Sequence, residues 1–466
     1  MSIHYIEGSR EILMPTLWFQ TALLSDGWAE RVRITTTDGQ ISAIEPEVAP
    51  VAGEARHGIA VPGLCNVHSH AFQRGMAGLT EYRGPAADDF WTWRELMYRF
   101  LDRIDPEDVE AIAAQAYVEM LETGFTRVGE FHYLHHDAQG GAYADLAEMA
   151  HRIVAAADET GVGLTLLPVF YAHGNFGGAT PSPGQRRFLN DVDRFSRLME
   201  ASGRALTALP DANIGVAPHS LRAAAPEALA QVAALAPGGP IHIHAAEQTR
   251  EVDDCVAWSG QRPVEWLLDH AAIDRRWCLI HATHLTDAET GALADSGAVA
   301  GLCPITEANL GDGIFPTQTY LAAGGAFGIG SDSNILIDPA RELSALEYAQ
   351  RLSRRARNVL SSPARPSTGA TLFAGALAGG AQALGQGRAG LTVGAAADIV
   401  ELDPDNLALH GRHGDALLDG WLFAGRAGVV RTVWRRGDRV VEQGRHRHAE
   451  RISGRYRRTL DKLLGA

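Results

Sequence analysis

Residues 61–70 read Val-Pro-Gly-Leu-Cys-Asn-Val-His-Ser-His. The stretch predicts a turn at Pro62-Gly63, a short buried strand over residues 64–67, and two histidines one residue apart at its end. Alternate side chains of a strand share a face, so His68 and His70 point the same way. Two neutral imidazoles so placed can grip one metal ion of the zinc or iron(II) kind. A His-x-His pair is weak evidence alone, because two histidines on one strand are often only polar surface. The rest of the chain decides between these readings.

From residue 61 to about 387, short apolar strands alternate with amphipathic helical stretches, the pattern of repeated βα units around a parallel sheet. Eight strands fall at residues 64–68, 126–131, 164–171, 213–217, 240–244, 277–281, 298–302 and 326–330. Helices such as 106–123 lie between them, with Asp105 placed to cap the start and Gly124 to stop the end. This predicts an α/β fold, a (β/α)8 TIM-like barrel, whose chemistry sits at the C-terminal strand ends. A doubly wound open sheet is the alternative; no Gly-x-Gly-x-x-Gly follows an early strand to support it.

On either side of this region the pattern is all strand and turn. Residues 17–44 hold short strands with an Asp38-Gly39 hairpin signal, and strands return at 397–402, 429–434 and 439–441, with Arg436-Gly437-Asp438 turning the last hairpin. Neither flank is long enough to bury a core alone. The expected organisation is therefore a composite β-sandwich from residues 14–60 and 388–446, a barrel over 61–387, and a C-terminal helix over 447–466. In that tail Ile452, Tyr456, Leu460, Leu463 and Leu464 keep helical spacing, which favours a docked amphipathic helix over a nucleic-acid arm. Residues 1–13 precede a second methionine, Met14, and show no pattern; we expect a flexible extension or a start placed too early.

Composition narrows the partners. The chain carries a net charge of -15 with no basic block able to track a phosphate backbone, so nucleic acid is not an expected partner. No apolar run reaches membrane-span length, and the N-terminus lacks a secretory layout. The four cysteines, Cys65, Cys255, Cys278 and Cys303, are scattered, which fits reduced thiols in a cytoplasmic protein. Lys462 is the only lysine. No lysine is thus available for a Schiff base or a carbamylated bridge between metals, and a loop arginine is a weaker pointer than usual where Arg does all the cationic work.

Four predicted strands end in chemistry-bearing residues: His68-Ser69-His70, His242-Ile243-His244 followed by Glu247, His281, and Gly330-Ser331-Asp332-Ser333-Asn334. Each has a plain reading: a satisfied core histidine for His242 or His244, a strand cap for His281, a helix cap for Asp332. Jointly the plain reading needs four coincidences at one end of one barrel.

These elements, with Pro62-Gly63 and the Gly390-Leu391-Thr392-Val393-Gly394 to Asp398-Ile399-Val400 stretch, resemble the amidohydrolase superfamily, specifically its deaminase branch. The likeness spans nearly the whole chain; its motifs are specific in combination and weak singly. It implies one divalent metal per chain, zinc by default with iron as the other candidate, held by His68, His70, His244 and Asp332. His242, two residues deeper, is the weaker candidate for a ligand. The resemblance further implies that Asp332 and His281 handle the proton of an attacking water and that Glu247 hands a proton to the departing nitrogen. A cytidine-type zinc deaminase is excluded by the missing Pro-Cys-x-x-Cys.

Substrate choice rests on loops. Arg94 and Arg222 can clamp carboxylates in bidentate fashion, and together with Gln73, Tyr133 and His219 they resemble the substrate-contacting pattern of the formimidoylglutamate deiminases. That resemblance implies a small acidic amidine as substrate, hydrolytic release of ammonia, a role in histidine degradation, and a homodimer. Two alternatives stand beside it: a guanine or S-adenosylhomocysteine type deaminase, which Phe90, Trp91 and Trp93 would suit, and a non-catalytic scaffold, which should have lost ligands. The His135-His136 pair, beside a polar loop, reads as surface.

Overall fold

A computed structural model describes residues 16–83 and 88–465; the extension expected over residues 1–13 lies outside them. Eight parallel strand positions build the barrel. They are Leu64–Ser69, Phe125–His132, Gly163–Phe170, a fourth split into Asn213–Ile214 and Ala217–Pro218, then Ile241–Ala245, Trp277–His281, Val299–Leu302 and Ala326–Ile329. The eighth pairs with the first at Ile329 and Asn66. The fourth closes the ring onto the fifth, where Val216 N donates to Pro240 O at 3.0 Å and His242 N to Val216 O at 3.0 Å. Closure excludes the open doubly wound sheet. The fourth strand is broken at residues 215–216, where its pairing with the third strand is interrupted between Leu166 and Val169.

Local signals explain several elements. Asp105 caps the helix Pro106–Thr123 by accepting from Asp108 N at 3.0 Å, and Gly124 ends it in the left-handed region at φ 106°. Asp38 and Gly39 both have positive φ between Thr37 and Gln40, the two-residue hairpin turn that Asp-Gly favours, and Arg436-Gly437 repeats it between Arg435 and Asp438.

The terminal strands form one eight-stranded sheet. Its order is Arg445–His446, Asp438–Glu442, Val430–Arg435, Ile399–Leu402, Arg56–Pro62, Thr16–Leu24, Gly27–Thr37, Gln40–Glu45. The sheet folds back on itself: Ile41 N donates to Ala395 O at 2.9 Å, enclosing Phe19, Val32, Ile34, Ile41, Leu391, Ile399 and Trp434. The C-terminal helix Ala449–Leu464 buries Ile452 and Leu463 against the barrel side, while Tyr456 Oη donates to Arg74 O at 3.1 Å. Lys462 Nζ pairs with Asp108 there at 2.8 Å. Sheet and barrel meet at a buried charge cluster in which Arg435 pairs with Asp211 and, at 2.7 Å, with Asp398, and Arg127 reaches Asp211 at 2.6 Å.

Pro62-Gly63 is not a turn. The chain runs straight from the terminal sheet into the first barrel strand, with Gly63 N donating to Asp398 O in one layer and Leu64 N to Gly124 O in the other. Glycine is required at the crossing because a Cβ there would sit 2.3 Å from the Thr126 side chain. The helix Thr368–Ala383 packs as closely on the eighth strand. A Cβ on Gly379 would lie 1.9 Å from the Phe327 carbonyl oxygen, which cannot swing away. Gly379→Ala is therefore expected to destabilise the protein by about 2–3 kcal/mol, read as a lowered denaturant midpoint; an unchanged midpoint would mean the helix is free to shift.

Candidate metal centre and its cavity

The first and eighth strands hold their end residues in register through the backbone. Asp332 N donates to His68 O at 2.9 Å and His70 N to Asp332 O at 3.0 Å. Behind them Asn66 and Ser331 exchange hydrogen bonds, and Asn334 Nδ2 donates to Ser69 Oγ and the His70 carbonyl. Backbone strain is concentrated here: His281, Ala282, Asp332, Asn334 and Ala246 all have φ between 43° and 64°. Non-glycine residues persist in that region only where their surroundings hold them.

Four side chains converge. His68 Nε2 lies 3.2 Å from His70 Nε2, 3.1 Å from His244 Nε2 and 3.3 Å from Asp332 Oδ1, which is itself 3.3 Å from His70 Nε2. The outer nitrogens fix the tautomers: His70 Nδ1 donates to Phe131 O and His244 Nδ1 to His219 O, each at 3.0 Å. Their Nε2 atoms therefore carry lone pairs facing one another. Burial pushes the His68 imidazole down to about 3 and holds His70 and His244 below their usual value, so the rings are neutral. Burial alone would raise Asp332, but the hydrogen bond with His68 and the charge of His281 hold it well below the carboxylate range. Lone pairs and a carboxylate oxygen packed this tightly repel unless a cation sits among them. The donor set fits a divalent metal of the zinc type.

His281 stands beside this cluster, Nε2 3.7 Å from Glu247 Oε1 and 3.9 Å from Asp332 Oδ2, while Nδ1 meets Glu307 Oε1 at 3.2 Å. Burial works against its charge, but Glu247, Glu307 and Asp332 push the imidazole up to about 10; a dication beside Asp332 would remove part of that push. Burial raises the Glu247 carboxyl, against the opposing pull of His281 and Arg222. Arg222 Nη2 lies 3.5 Å from Glu247 and 3.7 Å from Glu251.

Gln73, Arg94, Tyr133, His219 and Arg222 line one small cavity with His70, His244, Glu247 and Asp332. Gln73 Nε2 donates to Tyr133 Oη at 3.0 Å, and the Nε atoms of Arg94 and Arg222 are buried without a partner. His242 points to the other end of the barrel, meeting Ala383 O at 2.8 Å. The His135-His136 expectation is corrected: both are buried, with Nε2 donating to Val169 O and Leu189 O at 2.9 Å, because the chain around Arg187 and Leu189 packs over them. Sequence reasoning missed Glu307, Glu251 and Phe131. Glu251 carries a faint signal, one helical turn beyond Glu247; Glu307 and Phe131 carry none.

The profile of the amidohydrolase family matches residues 59–440, and that of the formimidoylglutamate deiminase HutF N-terminal domain matches residues 14–58. A formimidoylglutamate deiminase of Pseudomonas aeruginosa is 50% identical over 97% of this chain and 100% of its own length. A 5-methylthioadenosine/S-adenosylhomocysteine deaminase of Natronomonas pharaonis is 30% identical over 95% of this chain and 93% of its own. The crystal structure of an amidohydrolase from Brucella melitensis superposes with a TM-score of 0.94 at 56% identity, covering 96% of this chain and 99% of that one. A zinc-bound adenosine deaminase from Xanthomonas campestris shares the fold, with a TM-score of 0.79 at 22% identity over 97% of this chain and 98% of its own.

Proposed function

The chain belongs to the amidohydrolase family, and we propose that within it the chain hydrolyses N-formimidoyl-L-glutamate to N-formyl-L-glutamate and ammonia, as a cytoplasmic homodimer serving histidine degradation. One observation carries the reading: Arg94 and Arg222 face the cavity that the metal-ligand cluster closes, so a molecule with two carboxylates and a reactive carbon is matched at both ends. The full-length likeness to a formimidoylglutamate deiminase favours this over a purine deaminase.

His68, His70, His244 and Asp332 would hold one zinc ion, whose chemistry is to lower the pKa of a bound water to about 7 and to polarise the carbon under attack. Arg94 and Arg222 hold the carboxylates, while Gln73, Tyr133 and His219 orient the rest of the substrate. Asp332 receives the proton of the attacking water, and His281, its ring fixed by Glu307, steadies the developing tetrahedral centre. Glu247, whose carboxyl burial raises to about 7, delivers a proton to the nitrogen that leaves as ammonia.

The test is ammonia release by metal-analysed protein offered N-formimidoyl-L-glutamate, guanine and S-adenosylhomocysteine in parallel. Turnover of the first alone, at about one metal per chain, supports the reading; turnover of a purine instead sinks the arginine argument. Removing the metal with a chelator is expected to lower the thermal midpoint by ~5 °C or more, with zinc restoring it. An unchanged midpoint would deny these four side chains a metal.

A further inference from the structure

The cavity at the ligand cluster encloses only about 60 Å³. Directly outside it lies a second cavity of about 440 Å³, and Arg94 and Arg222 line both. The outer wall adds Trp91, Asn175, Arg250 and Asp254. Trp91 carries two guanidinium groups over its ring, that of Arg94 4.5 Å and that of Arg250 4.7 Å from the centroid. Arg250 is the second residue of the helix Thr249–Ser259, a few residues beyond Glu247. Its side chain is 63% exposed where that of Arg222 is 7% exposed. The three arginines thus form a file from solvent to the inner cavity.

Three carboxylates share the outer cavity with the three arginines, so the placement of each charge decides what an incoming anion meets. Asp89 caps the helix Phe90–Leu101, accepting from Trp91 N and Thr92 N. Asp254 accepts from Asn175 Nδ2 at 3.1 Å and reaches Arg250 only at 4.0 Å. Glu95 is exposed.

We propose that Arg250, held on the Trp91 ring, is the outer capture residue for the acidic substrate, engaging a carboxylate before Arg94 and Arg222 take it inward. This rests on the function proposed above. An exposed cation acts over roughly a Debye length, about 10 Å at 0.1 M salt, and raises the encounter rate of an anion. It therefore contributes to kcat/KM and little to kcat. A protonated amidine with two carboxylates is a net anion and is steered; one with a single carboxylate is neutral overall and is not.

The experiment compares metal-loaded wild type, Arg250→Met and Arg250→Lys on N-formimidoyl-L-glutamate and N-formimidoylglycine, from low to high salt. For Arg250→Met on the two-carboxylate substrate, kcat/KM is expected to fall about three- to tenfold at low salt with kcat nearly constant. The deficit should fade as salt rises, Arg250→Lys should recover most of it, and the single-carboxylate substrate should barely notice. Three outcomes overturn the proposal: no deficit at low salt, an equal and salt-independent deficit on both substrates, or no recovery by lysine. Wild type inert toward N-formimidoyl-L-glutamate would sink the functional reading and this proposal together, whereas active wild type with an indifferent Arg250→Met sinks the proposal alone.

Discussion

His281→Asn is expected to retain its metal and to lose about three orders of magnitude in kcat. His281 is fully buried at the end of its barrel strand and lies outside the tight four-atom cluster: Nε2 faces Glu247 and Asp332 at 3.7 and 3.9 Å, beyond the 3.1–3.3 Å spacing of the ligand atoms. Metal affinity should survive its loss. Asparagine cannot bring the charge that the imidazole places beside Glu247 and Asp332. The check is metal content beside the rate of ammonia release. Undiminished turnover would remove His281 from the chemistry, and a metal-free variant would show that it is a ligand after all.

Arg222→Met should lower kcat/KM for N-formimidoyl-L-glutamate by about 10²-fold or more at unchanged metal content. Arg222 is 6% exposed and its guanidinium holds Glu247 and Glu251 at 3.5 and 3.7 Å, with its Nε unpartnered and free to meet a ligand. Burial lowers the stability of its charge, but Glu251 and Glu247 more than restore it, so it is cationic. Methionine keeps the volume and deletes the charge. Arg222→Lys should recover only part of the loss, since a point charge cannot reproduce the planar fork. An unchanged kcat/KM for Arg222→Met would mean that no carboxylate docks there.

The arrangement of the site was legible in sequence to the extent that it rides on strand ends. His68 and His70 share a face because strands alternate, and His244, His281 and Asp332 were found because each ends an apolar run. Residues that act from helices or loops were not. Glu307 reaches His281 from the helix Pro304–Leu310, whose position depends on how the seventh strand sits in the closed barrel. His135 and His136 were misplaced because the chain that buries them, around Arg187 and Leu189, lies some fifty residues away in sequence. Pro62-Gly63 misled for a related reason. Its local chemistry is that of a turn, yet two sheets claim its neighbours and pull the chain straight.

That straight passage also orders events in time. The strand Arg56–Pro62, continuous with the one bearing His68 and His70, pairs on one side with Ile399–Leu402, so Val61 waits for Val400. At the ribosome's pace of about 5–20 residues per second, the wait is of the order of half a minute. Until then the anchoring edge of the first two imidazoles is open, and Asp332 reaches them only after most of the barrel has been made. The candidate metal site is thus a late product of synthesis, assembled when the two ends of the chain find each other.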